Sequence, residues 1–274
     1  MTDEKKSSFQ KILDILLPFA IYFVVHDLAQ VALIVIANTS LRLLGEDWRE
    51  LMSANQATVN GILNALSMWI GIGAIWSMAK KEFLYGKENC TKKELKGITI
   101  IFYFLLILFA AAFALAINIL LSLTGLTSSS QSYGEVAQRQ YGVSFEIGLL
   151  VYGLCSPLAE EIVFRGLVYH RMKKYFSVFL SVILNSLLFG IYHGNLVQAV
   201  YAGILGITIT LAYEIYGSFA APVLFHAAAN ICVYTIGYHQ QLQRLITVRN
   251  GVIFMLVAVL IGGIMGKGKG RVKR

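Results

Sequence analysis

A succession of apolar windows, each roughly 20 residues long, limits what this chain can become, because that length is the span of a bilayer core. Inside a bilayer every backbone N–H and C=O must be satisfied within the protein, so a spanning segment is either a helix or a strand of a closed barrel. The windows here are continuous rather than alternating, which argues against a barrel. Composition agrees: 57% of the 274 residues are hydrophobic and 14% are charged, against about 45–50% and about 25% in soluble domains. The expected fold is therefore all-α, a polytopic membrane protein of about eight transmembrane helices in one bundle.

Eight spans can be drawn: 12–37, 58–79, 97–123, 144–170, 176–193, 196–216, 218–239 and 251–265. Pro18 falls near the start of the first, where a helix tolerates it. The first also carries His26, Asp27 and Gln30, which would bond to a neighbouring helix or line a cavity. Residues 38–57 read as a polar loop and 124–144 as a loop with a short surface helix. No cleavable signal peptide is expected, since the first apolar segment is long and lacks a small-residue cleavage site. The expected units are the amino-terminal helices 1–143, a motif-bearing region 144–240, and a last helix with its basic tail, 241–274.

The net charge of +8 raises the possibility of nucleic-acid binding, but the basic residues show no aromatic interleaving and no finger spacing. Topology accounts for them better. With both termini in the cytoplasm, the head, 80–96, 171–175 and the tail hold seventeen lysines and arginines, six of them in 80–96 alone. The opposite stretches hold five: Arg42, Arg49, Arg139, Arg244 and Arg249. One conflict remains. His193 then falls at the far end of the fifth span, away from the polar groups of the fourth. Cys90, Cys155 and Cys232 form no CxxC pair and read as free thiols.

Arg165 is left over, and it lies inside a span. The fourth span contains Ala159-Glu160-Glu161-Ile162-Val163-Phe164-Arg165-Gly166. Ionisable groups at membrane depth are costly and by default mark function. Helical neighbours point about 100° apart, so Glu160 and Glu161 are not expected to share one task, whereas Glu161 lies one turn from Arg165. An arginine partner fixes the geometry of Glu161 and leaves Glu160 free to act as a general base. His226 and Asn230 are also one turn apart and can address one point, an imidazole beside an amide donor for an oxyanion. Taken singly, the Glu–Arg pair reads as a structural latch, His193 as an interfacial residue, and His226 with Asn230 as interhelical glue. Their joint presence on three major segments is what points to a site. A cysteine or serine nucleophile finds no support: no histidine stands near Cys155, and Gly-x-Ser-x-Gly is absent.

The residues Glu160-Glu161-Ile-Val-Phe-Arg165, Phe189-Gly-Ile-Tyr-His193 and His226-Ala-Ala-Ala-Asn230 resemble the three motifs of a known family. It is the CPBP family of intramembrane proteases (CAAX prenyl protease and bacteriocin-processing, or Abi), which includes the type II CAAX endopeptidases. The resemblance covers about 144–238. It implies an eight-helix core and hydrolysis of a peptide bond of a membrane-associated protein or peptide, with the lipid bilayer as the other partner and no nucleic acid. It implies Glu160 as the base for water, assisted by His193, with His226 and Asn230 stabilising the oxyanion and Glu161 and Arg165 in support. Relatives are often labelled metalloproteases, yet HExxH is absent. Glu160, His193 and His226 would suffice to hold zinc with one position left for water; a metal-free mechanism fits equally well if Asn230 serves the oxyanion. The expected location is the cell membrane. The other reading is non-enzymatic, a bacteriocin self-immunity factor or a proton-coupled carrier in which His26, Asp27 and Glu214 join the site residues in a relay.

Overall fold

The computed structural model of the chain describes residues 6–44, 46–89 and 100–272. The elements are α1 (Ser8–Leu44), α2 (Glu46–Ala54), α3 (Gln56–Asn89), α4 (Ile100–Leu123), α5 (Leu126–Ser129), α6 (Gln131–Tyr141), α7 (Phe145–Met172), α8 (Val178–Tyr192), α9 (Leu196–Tyr216), α10 (Ala220–Tyr238), α11 (Gln240–Gln243) and α12 (Val248–Val272). No strand occurs among the described residues. Among the described residues, seven helices (α1, α3, α4, α7, α9, α10 and α12) contain segments long and apolar enough to cross a membrane. The chain is an all-α polytopic membrane protein.

The expected eight full crossings need one correction. The fifth, α8, has 15 residues. At 1.5 Å per residue it is about 22 Å long, short of a hydrocarbon core of about 30 Å. It turns back into α9 through His193-Gly194-Asn195. Gly194 has φ +73°, a left-handed conformation that glycine adopts without penalty. Asn195 then caps α9 by accepting from the Gln198 backbone N–H at 2.9 Å. Helix α8 is therefore too short to cross by itself. The conflict over His193 is met by the cavity, which His193 lines together with Glu160 and His226. One expected loop is helical, and the short surface helix expected in the other is present. Residues 38–57 become the end of α1, α2 and the start of α3, and 124–144 hold α5 and α6.

An ionic cluster gathers one end of the bundle. Arg171 reaches Asp14 Oδ1 at 3.2 Å and Glu82 Oε1 at 3.2 Å, Lys174 reaches Glu82 Oε1 at 2.8 Å, and Lys173 reaches Glu214 Oε1 at 2.6 Å. The start of α1, the end of α3, the end of α7 and the end of α9 therefore share one face. Tyr216 adds the start of α4 by donating to the Phe102 carbonyl at 2.8 Å. Of the basic residues counted above, Lys5, Lys92, Lys93, Lys96, Lys273 and Arg274 lie outside the described residues.

Pro18 does not sit near a helix start, because α1 begins ten residues earlier, at Ser8. Lacking an N–H, it leaves the carbonyl of Asp14 without its helical donor. Arg171 Nη1 donates to that oxygen at 2.6 Å. A long-range contact thus supplies what the proline removed, as apolar surroundings require.

Two apolar clusters fill the interior. One joins α1, α3, α7 and α8 around Tyr22, Ile75, Phe164 and Phe189; the other joins α4, α9 and α10 around Leu106, Ile209 and Phe225. The polar groups of α7 and α10 meet between them.

Candidate active site

Helix α7 is not α-helical throughout. Leu149–Cys155 and Phe164–Tyr169 are wound as π-helix, and the α-helical turns Ser156–Val163 between them carry both glutamates. Irregular turns of this kind are frequent at functional sites. In the first, Ser156 N–H bonds the carbonyl of Val151, five residues back. The next donor in that register would be residue 157, a proline, so the carbonyl of Tyr152 has none. Asn230 Nδ2 of α10 donates to it at 3.0 Å.

Glu161 and Arg165 are fully buried and paired, Nη1 to Oε1 at 2.7 Å. Arg165 also donates to Thr210 Oγ1 at 3.2 Å and to the Gly206 carbonyl at 3.1 Å. Its guanidinium lies 4.6 Å from the centre of the Phe189 ring. A buried charge survives when it is paired and its donors are used. Here the pair is made and three guanidinium N–H groups are used, which locks α7 to α9, while Glu161 Oε2 finds no partner among the described residues.

The same Oε1 of Glu161 also receives His226 Nδ1 at 2.8 Å. A carboxylate held by an arginine only accepts, so the imidazole hydrogen resides on Nδ1 and Nε2 is turned outward. There it lies 3.7 Å from Glu160 Oε2. The expectation that the two glutamates serve separate ends is thus modified: their side chains diverge, yet each addresses one nitrogen of His226. His193 is set in the same manner, its Nδ1 donating to the Phe189 carbonyl at 2.8 Å. Phe189 meets both imidazoles edge to face, with ring centres 5.0 Å from His193 and 5.5 Å from His226. This explains the phenylalanine in its motif.

Glu160, His193, His226 and Asn230 all line one cavity of about 370 Å³. Glu161 and Arg165 lie buried behind it. Gln30 lines it too, as the sequence allowed, together with Asn60, Asn64 and Gln198, none of which carries a motif that singles it out. Among the described residues, none on a neighbouring helix bonds His26. It pairs with adjacent Asp27 at 2.9 Å and stacks on Tyr22. Glu214, needed for a relay, is held by Lys173 at the ionic end, away from the cavity. Helix α6 lines the opposite end with Tyr133 and Tyr141. Burial raises both phenols above their usual pKa, so they remain neutral hydrogen-bonding groups.

The zinc set does not assemble. Among the described residues no group of three His, Cys, Asp or Glu side chains is placed to hold a metal ion; the bond from His226 Nδ1 to Glu161 does not itself oppose one, since it leaves Nε2 as the ligand nitrogen.

Fold and site together define a polytopic helical membrane protein whose helices enclose a chamber lined by a carboxylate, two imidazoles and an amide. Residues 143–232 match the family model described as Type II CAAX prenyl endopeptidase Rce1-like. That is the family the motifs resemble, and the matched segment contains all six site residues. The match supports a CAAX-type intramembrane endopeptidase in general terms, hence a peptidase with a membrane-associated substrate. No curated protein and no solved structure matches the chain.

Proposed function

We propose that the chain hydrolyses a peptide bond of a membrane-associated protein or peptide, using a water deprotonated by Glu160. The observation that carries this reading is the convergence of Glu160, His193 and His226 on one cavity, with His226 Nε2 3.7 Å from Glu160 Oε2. A water between them donates one hydrogen to Glu160 while His193 Nε2, its other nitrogen occupied, accepts the second. The water oxygen attacks the scissile carbonyl carbon, and the carbonyl electrons move onto oxygen. Collapse breaks the C–N bond, and the proton taken by Glu160 passes to the departing amine.

The oxyanion needs donors. Asn230 has one N–H engaged by Tyr152 and a second that remains for substrate. Neutral His226 offers the chamber only a lone pair. It therefore acts as a donor only in its imidazolium form, with Glu161 bracing the opposite nitrogen. The geometry favours a metal-free reaction.

The test is cleavage of a quenched fluorescent peptide by purified protein in lipid. Activity that disappears in Glu160→Ala supports the reading; equal activity in that variant rejects it. Activity surviving exhaustive chelation supports the metal-free form, and loss restored by added zinc rejects it.

A further inference from the structure

We infer that the chamber is served from the side of the membrane opposite the basic, cytoplasmic end, and that its substrate is a peptide segment presented at the outer surface. The inference rests on the hydrolytic reading above and adds the side from which substrate arrives.

Two independent observations meet in it. The first is where the cavity goes. Glu160, His193 and His226 line it, and on α9 its lining runs from Val197 to Ile209. Its walls rise through Asn60 and Asn64 near the start of α3 and Asn118 near the end of α4 to α6. Those segments lie at the end where Ser144 N–H donates to Thr58 Oγ1 at 3.1 Å. No lining residue comes from the ionic end, from Lys6, Asp14, Glu82, residues 170–176 or residues 213–219. The ionic end is closed by its salt bridges and by the apolar cluster around Phe164 and Leu167.

The second is charge. Among the described residues, the segments gathered at the ionic end carry eleven lysines and arginines, and those at the cavity end carry five, Arg42, Arg49, Arg139, Arg244 and Arg249. Short loops rich in lysine and arginine stay in the cytoplasm. The end that no lining residue reaches is therefore cytoplasmic, and the end toward which the lining runs faces outward. Helix α6 suits that position. Tyr133, Val136, Gln140 and Tyr141 face the cavity, while Gln131, Ser132, Glu135 and Gln138 are exposed. This is the two-sided pattern of a helix lying along a membrane–water interface.

Exposure of single cysteines tests the orientation. In a chain whose Cys90, Cys155 and Cys232 are replaced by alanine, Ser132→Cys on α6 is expected to react with a bulky membrane-impermeant maleimide in intact cells. Phe176→Cys, exposed at the ionic end, is expected to react only after the membrane is opened. The reverse pattern overturns the inference. This labelling reads orientation whether or not the protein is a peptidase, so it fails separately from the hydrolytic reading. In right-side-out vesicles, a peptide added outside is expected to be cut and the same peptide sealed inside to survive; cleavage confined to the inside overturns the inference.

Discussion

His226 and Glu161, 65 positions apart in sequence, are joined by a hydrogen bond of 2.8 Å from Nδ1 to Oε1. The same carboxylate oxygen takes Arg165 Nη1 at 2.7 Å. One oxygen thus ties the motif arginine to the motif histidine, and the second glutamate of the pair becomes the piece that orients the chamber's imidazole. Orientation of this type matters because the nitrogen that faces the substrate is set by the bond the other nitrogen makes.

Glu161→Gln should cost activity on the order of 10²–10⁴-fold, the range seen when the partner orienting a catalytic imidazole is altered. Steady-state cleavage of the fluorescent peptide measures it. An unchanged rate would mean that the bond to His226 is incidental.

Arg165→Met should destabilise the protein by about 3–5 kcal/mol, because it leaves Glu161 buried without its counter-ion. In the double variant Glu161→Gln with Arg165→Met, the loss should be smaller than the sum of the two single losses. Thermal unfolding in detergent reads both. Strict additivity would contradict a coupled pair.

Asn230 has two tasks that can be separated. Asn230→Ala should cost about 1–3 kcal/mol by leaving the Tyr152 carbonyl buried and unpaired. In a Pro157→Ala background the restored N–H can serve that carbonyl, so the stability cost of Asn230→Ala should shrink while the loss of cleavage persists. Recovery of cleavage along with stability would confine Asn230 to the structural task.

The hairpin tip depends on close approach at Gly190. A Cβ there would lie 2.6 Å from the Ala199 carbonyl oxygen, whereas one at Gly203 would come no nearer than 3.9 Å to Ser186 O. Gly190→Ala should therefore push α8 from α9, displace His193 and cost about 1–3 kcal/mol. Gly203→Ala should leave activity near that of the unaltered chain. Equal behaviour of the two variants would contradict this role for Gly190.

The sequence showed the class because hydrocarbon length and polar intrusion are local properties. The apolar windows located the helices to within a few residues from 144 onward, and residues 196–216 coincide with α9. Glu161 and Arg165 were paired correctly by their one-turn spacing alone. What escaped were relations between distant positions. Nothing near Glu161 announces His226, and nothing near Asn230 announces the carbonyl freed by Pro157. Residues 38–57 looked like a loop because they are polar, yet polar residues also form helix at a membrane surface. The meeting of His193 with Glu160 is a relation of the same kind: it follows from how the helices pack and not from either motif alone.

The source of the oxygen in the first product bears most directly on whether Glu160 activates water. In a single turnover run in water enriched in oxygen-18, a general base delivers solvent oxygen at once, so the new carboxyl group should carry one heavy atom. Product released unlabelled in that first turnover, with the heavy atom appearing in Glu160 instead, would show the carboxylate itself attacking the peptide and would contradict the account.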